Sequence, residues 1–160
     1  MRSQTLEKIV VATGVGRLRD NAQFEATILP EITRELALIT GQKPEPRPAR
    51  KSIAGFKIRE GNVVGLRVIL RGRRMRDFLE RLVKVALPRV RDFRGINHNQ
   101  IDGEGNLTIG FRDHTVFPEI TPENSKFNFG FQVTLVSGIK NPDEAYAFFK
   151  ELGVPLTEKE

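Results

Sequence analysis

The sequence predicts an α+β domain: an antiparallel sheet of about four to five strands with helices packed on one face, of the ferredoxin-like or RRM-like kind. Stretches with a two-residue apolar period alternate with stretches of three- to four-residue period. Several of the strand-like stretches are separated only by turns, which favours antiparallel over crossover pairing. The chain has 160 residues, of which 39% are hydrophobic, so it fits one domain over 1–160 with one core.

Leu6 to Thr13 is rich in β-branched residues and runs into Gly14-Val15-Gly16, a strand followed by a turn. Asp20 or Asn21 caps a helix running to Thr40, with Phe24, Ile28, Ile32, Leu36 and Ile39 on one face. Pro30 either kinks that helix or opens a second one at its first position, and Gly41 ends it. Lys43 to Gly61 follows as a basic arm, with prolines at 44, 46 and 48 that hold it extended. Within the arm, Ile53 to Arg59 reads as a short strand paired with the next one through Glu60-Gly61-Asn62.

Val64 to Arg71 alternates, with Val64, Leu66, Val68 and Leu70 inward and Arg67, Ile69 and Arg71 outward. Met75, Phe78, Leu79, Leu82 and Ala86 then mark a helix that Pro88 stops. A turn-rich stretch leads to a strand over Leu107–Arg112, a polar loop over Phe117–Lys126 and a strand over Phe129–Ser137. Asn141 caps the last helix, with Pro142 at its first position, Asp143 and Glu144 in its first turn, and Gly153 and Pro155 beyond its end.

Charge is distributed unevenly. From Lys43 to Arg94 sixteen Lys and Arg face five Asp and Glu, a segment charge of +11; the whole chain carries +6, so the remainder carries −5. A basic middle on an acidic remainder is the footprint of a one-sided nucleic-acid binder. Its arginine excess suits bidentate phosphate contacts. With no cysteine there is no disulfide framework or thiolate metal site, as in a reducing cytosol. No apolar run is long enough for a signal peptide or a membrane span, so a soluble intracellular protein without membrane contact is expected.

Motifs that suggest catalysis are better explained structurally. Gly14-x-Gly16 resembles a dinucleotide turn, but Arg19 stands where the third glycine belongs, which favours a plain tight turn over a nucleotide-dependent enzyme. His98 and His114 are the only histidines; Asp113-His114 lacks a placed nucleophile, and Asp102 and Glu104 fit a glycine turn. No enzyme, cofactor or metal is expected. Phe127, Phe129 and Phe131 faintly resemble a base-stacking signature, yet their alternation favours core packing.

The basic segment is different, because the arm, the Arg67/Arg71 strand face, the Arg73-Arg74 turn and Arg89, Arg91 and Arg94 all point to phosphate. Arginines at a helix N-terminus oppose its dipole unless an outside anion arrives there. Backbone contacts to a folded RNA are therefore expected to dominate.

Four blocks carry a family resemblance: Ile39–Pro44, Ala49–Arg59, Leu70–Met75 and Ala86–Gly95. With Asp102–Asn106 and Phe117–Ile120 they are similar to the bacterial large-subunit ribosomal proteins that bind 5S rRNA, the fifth in the conventional numbering. The resemblance implies a cytoplasmic, non-catalytic ribosomal protein of the central protuberance. It implies contacts with 5S rRNA, 23S rRNA, P-site tRNA and neighbouring ribosomal proteins, including a small-subunit bridge protein (the thirteenth). It places Gln42 and Lys43 at 5S rRNA, beside Arg47, Arg67, Arg71, Arg73 and Arg74 from the charge pattern. The loop holding Arg50, Lys51, Ser52 and Lys57 would reach tRNA, its tip mobile when free, and loops near 97–105 and 117–126 would form the bridge. The alternative is a free-standing RNA-binding regulator or chaperone using the same basic face.

Three departures stand out. The family opens with a further N-terminal helix, whereas this sequence begins almost at its first strand. It also commonly has Asn where Ala12 stands and Thr where Ile69 stands, polar residues associated with 5S rRNA contact.

Overall fold

β1 (Lys8–Gly14) lies at the centre of a five-stranded antiparallel sheet, with β3 (Val63–Leu70) on one side and β5 (Phe131–Val136) on the other. β2 (Glu45–Pro48) forms one edge beside β3, and β4 (Asn106–Phe111) the other edge beside β5. The helices are α1 (Leu29–Thr40), α2 (Gly72–Arg81) and α3 (Pro142–Glu151). The computed structural model describes residues 6–16, 18, 22–50, 60–123 and 125–158. The α+β class with an antiparallel sheet is as the sequence predicts.

Strand alternation builds the core. Ile9 and Val11, Leu66, Val68 and Leu70, Leu107 and Ile109, and Val133 and Leu135 are all buried on one face of the sheet. The helices pack there through Ile32, Leu36, Ile39, Phe78, Leu82 and Phe149, all fully buried. Burying each such side chain contributes about 1.5–3 kcal/mol. Phe78 stacks on Phe117 with centroids 5.6 Å apart, and Phe111 on Phe131 at 5.0 Å. Phe129 is buried too, so the phenylalanine alternation belongs to the core, although β5 begins only at Phe131.

The structure shows an edge strand that the sequence did not predict beside β3. It is Glu45–Pro48, in the register Glu45 to Arg67, Pro46 to Leu66 and Arg47 to Gly65; the strand expected over Ile53–Arg59 lies outside the described residues. The prolines permit this because they occupy alternate positions of an edge strand, where the missing N–H groups face away from the ladder. Pairing continues past a register shift at Arg47/Pro48, since Ala49 N–H donates to Asn62 O at 2.7 Å and Gly61 N–H to Ala49 O at 3.0 Å. The front of the predicted arm is therefore sheet, and a hairpin connection begins at Arg50.

The helices differ in detail from their predicted spans. A π-helical turn, Phe24–Ile28, runs directly into α1, so Pro30 sits at the junction of the two, where the helix changes its hydrogen-bonding pattern. Gly41 ends α1 in the left-handed region at φ 75°. α2 starts at Gly72 and continues through a π turn (Leu82–Ala86) and a 3-10 turn (Leu87–Arg89) that absorbs Pro88. Asn141 caps α3 as expected, accepting from Asp143 N–H at 2.9 Å and Glu144 N–H at 3.3 Å.

Asp102 is a turn residue: its Oδ1 accepts from the N–H groups of Glu104 at 2.9 Å and Asn106 at 3.0 Å. Gly105 in that turn has φ 79°, and a Cβ there would collide with the Ile139 carbonyl. Gly105→Ala is expected to destabilise the fold by about 2–4 kcal/mol through strain and overpacking, read as a lower denaturation midpoint.

Candidate nucleic-acid interface

The face of the sheet opposite the helices is uncovered among the described residues. In register across it stand Arg67, Ala12, Gln132 and Gly110, and in the next row Ile69, Val10, Thr134 and Thr108. These side chains are exposed or half-buried, whereas their strand neighbours are buried. Ala12 and Ile69, the two departures from the usual polar pattern, leave the centre of this face apolar.

The sequence-predicted cations gather at the β2–β3 edge and at the end of β3. Gly41 turns the chain so that Gln42 lies against β3, where its Nε2 donates to Ile69 O at 3.2 Å. The turn is locked by the buried Thr40 hydroxyl, which donates to Leu36 O at 2.9 Å and Gln42 O at 3.0 Å. Arg74 Nη1 donates to Gln42 Oε1 at 3.4 Å, tying the start of α2 to the same corner. Lys43 is exposed beside it. Arg67 reaches Glu45 at 3.1 Å, and Arg47 approaches the same carboxylate at 3.7 Å.

Arg71 is the N-cap residue of α2, and Arg73 and Arg74 lie in its first turn, all exposed; no acidic residue occupies that turn and no side chain caps it. Arg73 meets Asp77 only at 3.8 Å across an exposed surface, so the cationic end of the helix is little compensated. Arg50 is exposed at the start of the hairpin connection, while Lys51, Ser52 and Lys57 lie outside the described residues.

Not all the basic residues share this corner. Arg89 and Arg91 line a cleft of about 530 Å³ with Arg112, Asp92, Asp113 and Val116, at the β4 edge of the sheet. The cationic segment thus divides between two sheet edges, with the apolar-centred face between them. Asp113 caps the turn there, and the Thr115 hydroxyl donating to it at 2.7 Å holds its carboxyl below the usual carboxylate range.

Sequence reasoning missed one buried polar cluster. Glu35 of α1 and His114 are both fully enclosed, with Glu35 Oε2 and the Ser125 hydroxyl each 2.9 Å from His114 Nε2. Asn128 Oδ1 lies 3.3 Å from Nδ1, and the ring stacks on Phe129 at 4.1 Å. The available signal was Glu35 itself, set among Ile32, Leu36 and Ile39 on the buried side of α1. Ser125 and Glu35 crowd the same imidazole nitrogen, so this is not the relay of a nucleophilic triad, in which acid and nucleophile occupy opposite ring nitrogens. Among the described residues no group of three or more His, Asp or Glu side chains is placed to hold a metal ion.

Fold and site together define an α+β domain with an uncovered sheet face and cations along its edges. The comparisons with known proteins identify it further. Residues 1–59 match the family described as Ribosomal protein L5, and residues 63–156 match the model of the C-terminus of that same ribosomal family. A large ribosomal subunit protein uL5 from Rubrobacter xylanophilus is 50% identical over 98% of this chain and 84% of its own length. Its namesakes from Limosilactobacillus fermentum and Fusobacterium nucleatum are 45% and 46% identical, over 99% and 98% of this chain and 86% and 83% of their own lengths. The chain belongs to the ribosomal protein L5 family, a family of structural, non-enzymatic proteins whose members' shared name puts them in the large ribosomal subunit.

Proposed function

We propose that this protein works in the large subunit of the cytoplasmic ribosome by holding 5S rRNA on its uncovered sheet face and its β2–β3 edge. The observation that carries this reading is the corner where Gln42, Lys43, Arg71, Arg73 and Arg74 meet the edge of that face. A helix N-terminus with three arginines and no acid in its first turn is complementary to phosphate. Contacts with 23S rRNA extend the same surface. The second basic edge, Arg89 and Arg91 with Arg112, gives RNA strands a second line of phosphate contacts across the domain.

The hairpin connection that starts at Arg50, with Lys51, Ser52 and Lys57, reaches P-site tRNA, and loops near 97–105 and 117–126 meet a small-subunit protein in an intersubunit bridge. The bridge assignment gains support from the anchoring of the second loop. Arg81 Nη1 bonds Glu119 Oε1 at 2.6 Å and Ile39 O at 3.0 Å, which pins that loop to α1 and α2.

Ala12 and Ile69 offer no hydrogen bonds to RNA, so affinity rests on the cations. Binding of a 5S rRNA transcript, followed over a salt series, is expected to weaken linearly in log–log form with a slope of about −0.9 per phosphate contact. A slope near zero at measurable affinity would sink this reading.

A further inference from the structure

Glu45 is the one acidic side chain described between Lys43 and Arg50, and it stands between two arginines. One carboxylate oxygen, Oε1, faces Arg47 Nη1 at 3.7 Å, and the other, Oε2, accepts from Arg67 Nη2 at 3.1 Å. The β2–β3 register sets this up, since Glu45 lies directly opposite Arg67 and Arg47 follows two residues along the same side of the edge strand. The Nε of Arg67 is buried with no hydrogen-bond partner among the described residues, so the contact to Glu45 is made through Nη2 on the open side of the guanidinium. Glu45 itself is open to solvent, its side chain 57% exposed.

From this arrangement we propose that Arg47 and Arg67 form a phosphate subsite on the β2–β3 edge, and that Glu45 occupies the phosphate position when RNA is absent. A phosphodiester, like a carboxylate, offers two anionic oxygens, and it spans the two guanidiniums as Glu45 now does. The two anions compete for the same donors, so Glu45 is a built-in competitor that swings out when RNA docks. It weakens casual contacts with any polyanion while leaving the arginines paired in the free protein. The proposal rests on the RNA-binding reading above and adds to it the place of one phosphate.

The test is a salt series with wild type, Glu45→Gln, Arg47→Ala/Arg67→Ala and the triple variant, each titrated with a 5S rRNA transcript and with an unrelated RNA duplex. Glu45→Gln is expected to tighten binding about two- to fivefold at low salt, the scale of one exposed ion pair. The gain shrinks as salt screens it. In the double-arginine background the same change is expected to do nothing. Weaker binding by Glu45→Gln would show that the carboxylate only orients the arginines, and an equal gain in both backgrounds would show a general field effect; either overturns the subsite. Wild-type binding to the duplex but not to the 5S transcript would defeat the 5S reading while the duplex series still decides the subsite. Binding to neither RNA would defeat both.

Discussion

His114→Leu is expected to destabilise the protein by about 1–3 kcal/mol, the cost of leaving buried polar groups without their hydrogen-bond partner. Glu35 is 2% exposed, and water cannot replace the imidazole beside it. The Ser125 hydroxyl and the Asn128 amide lose a partner at the same time, while Phe129 keeps an apolar neighbour in place of the stacked ring. Glu35→Leu combined with His114→Leu is expected to cost less than the sum of the two single changes, because no carboxyl is then left enclosed. Denaturant midpoints of the four proteins measure this. Additive costs would show that the two residues are not coupled. The cluster ties α1 to the 112–130 connection between β4 and β5, so its loss is also expected to loosen that connection before the sheet opens.

Neutralising Arg71, Arg73 and Arg74 together is expected to lower 5S rRNA affinity about 10- to 1,000-fold at low salt and to flatten the salt slope by about two to three. The three guanidiniums are exposed at the start of α2 and make few internal contacts, so the fold has little reason to need them. Removing cations from a helix N-terminus slightly relieves the dipole. An unchanged or raised thermal midpoint together with lost RNA binding would separate the interface role from a structural one. Loss of fold, or RNA affinity within twofold of wild type, would contradict it.

The sheet was legible because its strands are half-buried. Leu66, Val68 and Leu70 alternate with Arg67 and Ile69, and only one register buries the apolar set. The end of α1 at Gly41 and the cap of α3 at Asn141 were equally plain, since each rests on local backbone chemistry. β2 was not legible. Its alternating prolines read as a free arm, because strand pairing at a sheet edge depends on which N–H groups face the neighbour, a tertiary fact. The cations were found by composition, but their division between two edges follows from strand order, which charge counting does not contain. Glu35 and His114 lie far apart in sequence, and only the packing of α1 against the 112–130 connection brings them within 2.9 Å.

The most direct test of the central claim is footprinting of 5S rRNA by the purified protein, comparing wild type with the Arg71/Arg73/Arg74 variant and an Arg50→Ala/Lys51→Ala variant. One continuous protected region is expected with wild type, lost with the first variant and kept with the second, whose residues are assigned to tRNA only by the proposed function. Protection that survives without Arg71, Arg73 and Arg74, or that disappears with Arg50 and Lys51, would contradict the placing of 5S rRNA on the sheet face and its β2–β3 edge.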